Sequence, residues 1–568
     1  MVIVEFYKNC YRKLLRPVLP IKLRSFLKDV ISIMVINFFL TFLLMFALWT
    51  NFSTHLHKRL DFRDTRSSFT KILPKIASTI KRKTLSYSGA KYAEPEQEIL
   101  LSLDGDEVNN IEYDRTITHI EAKPSSSDDL VNYKNLNDDN VDEDDSSNWE
   151  SKVIKTKISV KHTHAYDNYL EDSKLVCDLG YYYRQYGIGF EEIEVETDDG
   201  FIIDLWHLKP QNNNNKAGHP ILLLHGLLQS SGSFATSGKR SLAYYLYQQG
   251  FDVWLGNNRC GFNPKWNMKK LNHDKSKQWD WDIFDMVKYD LKALIQTILN
   301  RTGYEKLSLI GHSQGTTQGF MGLVNGEDIY KNDDSTTESG DEFKLIDKLE
   351  NFVALAPAVY PGPLLDEKMF VQLIRMGIDK PRIFRERSFV PIMMFMRLYV
   401  EQNLFAYLSY VMFNYLFDWN DALWDNSLRN RHFMFSPVHV SVKLMQWWLS
   451  PDPAKRSFKE TAQELFPDKK AWFPLSTERP VSQPNSIHKN KPRETGQNYP
   501  NILMFVPRQD RLVDGERLIN HFINHEPHST YKIWYIDEYS HMDVLWANDM
   551  IERIGKPIVK NLRFSDNN

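Results

Sequence analysis

The chain reads as an α/β protein: a mostly parallel central sheet flanked by helices, with a helical cap or lid, preceded by one transmembrane helix. Three observations predict this. From about Gly187 short apolar runs alternate with helical stretches, as in sheets built from strand–helix units. One apolar run, Leu307–Ile310, leads into Gly311-His312-Ser313-Gln314-Gly315 and then a helix-compatible stretch. Near the N-terminus, the twenty residues Val30–Trp49 carry no charge.

In chain order, the basic segment 1–29 comes first. Residues 1–100 hold 17 Lys and Arg against 7 Asp and Glu. The uncharged stretch 30–49 is long enough, as a helix, to match about 30 Å of bilayer hydrocarbon. A buried core helix would show a polar stripe, and a cleaved signal would end in small residues. This stretch does neither, running through Phe46, Leu48 and Trp49. It predicts a membrane anchor, single-pass, at the endoplasmic reticulum, a lipid droplet or the plasma membrane. Six basic residues before the span against four after it favour a cytosolic N-terminus, whereas the sequons at Asn51 and Asn300 are usable only in a lumenal body.

Residues 50–160 read as a linker, basic and then acidic. Within it, 101–150 carry 15 Asp and Glu against 3 Lys and Arg, and runs such as 137–145 (NDDNVDEDD) predict a solvated spacer. The first half of the core is expected over 165–359, the cap over 360–475, a polar insertion over 476–500, and the second half of the core over 501–560. A further polar stretch, Lys331–Glu342, reads as a surface insertion. The net charge of −3 argues against nucleic acid as the main partner. Cys10, Cys177 and Cys260 offer neither a disulfide framework nor CxxC zinc spacing, and the serine chemistry read below requires no metal or organic cofactor.

The strands expected are Phe190–Thr197 and Phe201–Leu208 around an Asp198-Asp199-Gly200 turn, then Pro220–Leu224, Phe251–Leu255, Leu307–Ile310, Phe352–Leu355, Ile502–Val506 and Tyr531–Ile536. The segment 307–317 (LSLIGHSQGTT) has the strand–turn–helix context in which G-x-S-x-G presents a nucleophilic serine. The glycines fit a turn too tight for side chains at 311 and 315, and Ser313 is the nucleophile they would expose.

A serine nucleophile needs a base, an acid to orient it and donors for an oxyanion. His225-Gly226-Leu227-Leu228 follows the strand Pro220–Leu224, making the N–H groups of Leu227 and Gln314 the expected donors. Asp510 follows the strand Ile502–Val506, with Asp514 as its rival for the acid. His541 follows the strand Tyr531–Ile536 and is the base, while His521, His525 and His528 read as surface or packing residues. Ser313, Asp510 and His541 stand in the chain order of α/β-hydrolases, each just after a strand.

These residues also resemble a known family. The motifs HGLLQSS (225–231), FDVWLGNNRCG (251–261), FDMVKYDL (284–291), GHSQGTT (311–317), FVALAPAVYPG (352–362) and YSHMDVLWA (539–547) make residues 165–550 similar to the acid lipases, which include the gastric and lysosomal enzymes. With the N-terminal span, the chain resembles the fungal membrane-anchored steryl ester hydrolases. The resemblance implies the α/β-hydrolase fold, Ser313 as nucleophile, Asp510 as acid, His541 as base, and Leu227 and Gln314 as oxyanion donors. It also implies a steryl ester, in a membrane or lipid droplet, as substrate. Secreted family members carry a signal peptide where this chain has an anchor, so an acidic lumenal setting does not follow.

The cap fits such a substrate. Within 384–448, 16 of 65 residues are Phe, Tyr or Trp, with methionines interspersed, which predicts an apolar, adaptable wall. Its longest uncharged run, Gln402–Phe417, is 16 residues, short for a second span. Two alternatives stay open at this level: a triacylglycerol lipase using the same machinery, and a catalytically silent membrane tether on a hydrolase fold.

Overall fold

A computed structural model of the protein describes residues 34, 38–53, 115–123, 149–160, 171–209, 218–259, 261–331, 343–381, 383–384, 387–389, 391–474 and 499–564. The expected basic segment 1–29, the insertions at 331–342 and 476–500, and the middle of the expected linker lie wholly or almost wholly outside these residues.

Among the described residues eleven strands form one sheet: β1 (Arg115–Ala122), β2 (Val153–Val160), β3 (Gly189–Glu196), β4 (Phe201–Lys209), β5 (Pro220–Leu224), β6 (Asp252–Gly256), β7 (Lys265–Trp266), β8 (Leu307–His312), β9 (Leu349–Leu355), β10 (Asn501–Pro507) and β11 (Tyr531–Ile536). Their order is β2-β1-β11-β10-β9-β8-β5-β6-β4-β3, with β7 beside β4. The sheet is mixed. From β11 to β6 every neighbouring pair is parallel, and antiparallel strands close both edges.

Burial on both faces explains why the central strands read as unbroken apolar runs. Alternate residues serve opposite layers. Leu222, Leu224 and Leu309 pack with Ile295, Ile298 and Phe320 of the helices Lys292–Thr302 and Gln314–Val324. Ile221, Leu223 and Ile310 pack on the other face with Leu242, Leu246 and Ile558. The motifs over 251–261 and 284–291 are tied together: buried Arg259 donates from Nε to Asp290 Oδ1 at 3.0 Å, and from Nη1 to Asp199 Oδ2 at 2.8 Å.

The linker expectation is corrected at two places. β1 and β2 lie inside the segment expected to be a spacer, and β1 extends the sheet by pairing with β11. Arg115–Ala122 (RTITHIEA) is rich in β-branched residues, and once paired it buries Ile117 in one layer and Ile120 in the other, while Glu121 is exposed. Trp149, just before β2, covers this edge and meets Tyr535 edge-on at 6.0 Å.

The expected anchor lies only partly within the described residues. A helix covers 38–53 and packs against the cap, with Leu43 and Ala47 buried. Among the described residues no helix is long and apolar enough to cross a membrane. Between β9 and β10 the chain builds helices that include Met369–Ile378, Pro391–Tyr399, Gln402–Phe417 and Val442–Leu449. The helix Gln402–Phe417 coincides with the uncharged run because its bounding charges cap it. Glu401 accepts the N–H groups of Asn403 and Leu404, and Asp418 takes a left-handed conformation at its end.

Candidate active site

The four loops that carry the candidate residues all leave the same edge of the parallel strands: 225–229 after β5, Ser313 after β8, Asp510 after β10 and His541 after β11. Ser313 sits between β8 and its helix at φ 51°, ψ −117°, a strained backbone for a side chain with a Cβ. Its N–H donates to Leu355 O at 3.1 Å, and Thr316 Oγ1 donates to its carbonyl at 2.6 Å. The turn closes only with glycine on either side. A Cβ on Gly311 would stand 2.7 Å from the Gly315 carbonyl carbon, and one on Gly315 would stand 2.3 Å from Leu224 O.

The candidate base and acid are in contact. His541 Nδ1 lies 2.6 Å from Asp510 Oδ2, both side chains buried. An ionised Asp510 makes this nitrogen the donor, which leaves Nε2 free to accept a proton. The other oxygen of Asp510 accepts the N–H groups of Leu512 and Val513, which fixes the carboxylate. Its rival is used elsewhere: Asp514 caps the helix Gly515–His525, accepting the N–H of Arg517 at 3.0 Å. Of the other histidines, His521 is a packing residue, buried against Trp472 with its Nε2 3.0 Å from Glu526 Oε1.

The loop 225–229 presses on the nucleophile. A Cβ on Gly226 would come within 3.0 Å of the Ser313 Cβ. Leu227 lines the same cavity as Ser313 and His541. The N–H of Gln314 belongs to the first helical turn, whose donors have no partner within the helix. The side chain of Gln314 turns away, accepting Trp448 Nε1 of the cap at 2.9 Å.

Four supporting residues were not singled out from the sequence. Gln229 Oε1 accepts the N–H of Gly226 at 3.2 Å, and the ring of His312 lies between two acceptors, its Nδ1 3.1 Å from Gln229 Oε1 and its Nε2 3.3 Å from the His541 carbonyl oxygen. One buried pair thus joins the loop after β5, the serine turn and the base. Burial holds the His312 pKa well below 6.5. Asp543 accepts from Ser540 N and Oγ and from Trp424 Nε1, bracing the turn that presents His541. Burial raises its pKa to about 7. Trp448, which holds Gln314, is the fourth. Gln229, His312 and Asp543 fall inside motifs that the sequence displayed; their roles depend on contacts it did not.

His225 carries a pH prediction. Its Nδ1–H donates to Gly226 O at 2.8 Å and its Nε2 accepts the N–H of Asn258 at 3.2 Å, so the folded ring is neutral. Burial lowers its pKa from 6.5 to about 4. Between those values the unfolded chain binds a proton that the folded chain refuses, so stability is lost as pH falls from 6.5 to about 4. His225→Gln keeps an acceptor for Asn258 and does not titrate. Its thermal midpoint is expected to fall less than the native one between about pH 7 and about pH 4.5. An equal fall would remove His225 from the account of acid stability.

The cavity encloses about 1540 Å³ of empty space, its open mouth included. The polar side chains on its wall are Gln229, His312, Ser313, Ser436 and His541, and the rest of the lining is apolar or aromatic. Cap residues Met412, Leu416 and Met445 line it together with Ser313. Such a space suits a large apolar molecule with one reactive polar group.

Comparison with known proteins agrees with this fold. Residues 179–238 match the model described as a partial alpha/beta-hydrolase lipase region, and 219–324 match the alpha/beta hydrolase fold. The chain is 56% identical to sterol esterase 2 of Saccharomyces cerevisiae over 543 residues, covering 94% of this chain and 97% of that protein. It is 28% identical to human gastric triacylglycerol lipase over 391 residues, covering 66% of this chain and 88% of that one. With human lysosomal acid lipase/cholesteryl ester hydrolase it shares 41% identity over 140 residues, 24% of this chain and 35% of that one.

Proposed function

The chain belongs to the α/β-hydrolase lipase family of sterol esterase 2 and the gastric and lysosomal acid lipases, and as a carboxylic ester hydrolase of that family it is, we propose, a membrane-bound steryl esterase. The observation that carries the reading is one cavity, apolar almost throughout, with Ser313 and His541 on its wall and Asp510 hydrogen-bonded behind the histidine.

In the proposed reaction Ser313 Oγ attacks the ester carbonyl carbon while His541 Nε2 takes the hydroxyl proton. Asp510 stabilises the imidazolium through the Nδ1 bond. The N–H groups of Leu227 and Gln314 receive the oxyanion, each such donor being worth roughly 10²–10³ in rate. The tetrahedral intermediate collapses, the carbon–oxygen bond to the sterol breaks, and His541 returns the proton to the departing alkoxide. Water, deprotonated by His541, then attacks the acyl-serine, and fatty acid leaves with Ser313 restored.

Membrane attachment is part of the same reading. The uncharged segment 30–49 holds the enzyme to the endoplasmic reticulum, a lipid droplet or the plasma membrane, where a steryl ester is dissolved. Exposed apolar side chains on the cap, among them Met376, Leu398 and Tyr399, support a lipid-facing surface.

The substrate assignment is tested by initial rates on cholesteryl oleate and triolein in the same mixed dispersion. A higher kcat/KM on cholesteryl oleate is expected. A preference for triolein would make the protein a triacylglycerol lipase instead.

A further inference from the structure

The helix over 38–53 is fitted to the enzyme rather than merely attached to it. Phe39, Phe42 and Phe46 stand around Phe370 of the cap helix Met369–Ile378, with ring centroids 5.8, 5.8 and 5.5 Å away. Phe46 also meets Tyr415 edge-on at 5.5 Å, and the Tyr407 hydroxyl donates to Asn51 Oδ1 at 3.5 Å. Leu43 is only 1% exposed and Ala47 is fully buried. Positions 39, 43, 46 and 47 recur at helical spacing and form one stripe, while Phe38, Met45, Trp49 and Phe52 point away and are exposed. A helix with two apolar faces, one against protein and the other bare, fits a segment between the enzyme and lipid.

The inner stripe reaches the reaction site. Phe39, Leu40 and Leu43 lie on the cavity wall that also carries Ser313 and His541, beside Met412 and Leu416 of the helix Gln402–Phe417. A tether needs only length and hydrophobicity. A matched inner face that completes a cavity is a different specification.

We propose that the membrane-proximal helix is a wall of the substrate cavity, and that Leu43, flanked by Phe39 and Leu40, is a specificity-determining residue for the apolar part of the ester. The proposal rests on the esterase reading. It implies that the segment holding the enzyme to lipid also selects the lipid it cleaves.

The test uses the full chain in detergent micelles and the ratio of kcat/KM for cholesteryl oleate to that for p-nitrophenyl butyrate. Leu43→Trp fills the wall and is expected to lower this ratio at least about tenfold, the scale on which pocket bulk discriminates. Met45→Trp adds the same ring to the outer face and is expected to leave the ratio unchanged. Labelling of Ser313 by a fluorophosphonate counts folded sites in each preparation. Should Leu43→Trp fail to label, Leu43→Ala takes its place and lowers the ratio about tenfold through lost apolar contact. An unchanged ratio in the Leu43 variants, or an equal change in Met45→Trp, overturns the proposal. If the native chain cleaves p-nitrophenyl butyrate but not cholesteryl oleate, the steryl reading itself has failed and takes the proposal with it.

Discussion

Replacing Ser313 with alanine is expected to lower cholesteryl oleate hydrolysis by about 10⁴-fold or more, to the residual level that binding and oxyanion donors alone sustain. The loss is large because in the proposed mechanism Ser313 alone carries the acyl group, and without it the histidine and carboxylate have nothing to activate. The substitution is also clean. Alanine keeps a Cβ at the strained φ of 51°, and the turn is held by the Ser313 N–H and carbonyl, not by its hydroxyl. Thermal stability is therefore expected to stay near native, and rates measured with equal amounts of folded protein read the chemistry. Activity within tenfold of native would remove Ser313 as the nucleophile.

Asp510→Asn is the second large effect, about 10⁴-fold in kcat, the cost when an amide orients the wrong histidine tautomer. Asparagine offers His541 Nδ1 an N–H where the aspartate offered an acceptor at 2.6 Å, so Nε2 would carry the proton and could not act as base. Asp514→Asn is the control and also decides between the two candidate acids. Asparagine caps a helix about as well as aspartate, so the bond to the Arg517 N–H survives and kcat is expected to change less than about threefold. Equal losses at the two positions, or a larger one at 514, would reassign the acid.

The core was legible because its signals are local. β5 (PILLL) and β8 are short, fully buried runs beside turn residues, and the glycines of the serine turn are required by contacts within a few residues. β1 and β2 were missed for the opposite reason. Averaged over 101–150, the acidic charge dominates, and the β-branched run within Arg115–Ala122 acquires meaning only from its pairing with β11, about four hundred residues on. The supporting shell is hidden in the same way. The His312–Gln229 contact spans 83 residues, Trp448–Gln314 spans 134 and Trp424–Asp543 spans 119. Residue types at those positions suit packing equally well. The aromatic richness of the cap announced an apolar wall, but not that residues 39–43 would share it, since two apolar surfaces carry no mark of which partner each will meet.

The most direct test of the central claim is competition for the nucleophile itself. Membranes carrying the full chain are treated with a fluorophosphonate probe, with and without cholesteryl oleate, and the labelled peptide is identified by mass spectrometry. The expected result is label on Ser313, within the peptide 307–331, at a rate that cholesteryl oleate slows more than an equal amount of triolein does. Label at another residue, or labelling of Ser313 that cholesteryl oleate leaves untouched, would contradict a serine esterase that takes steryl esters into this cavity.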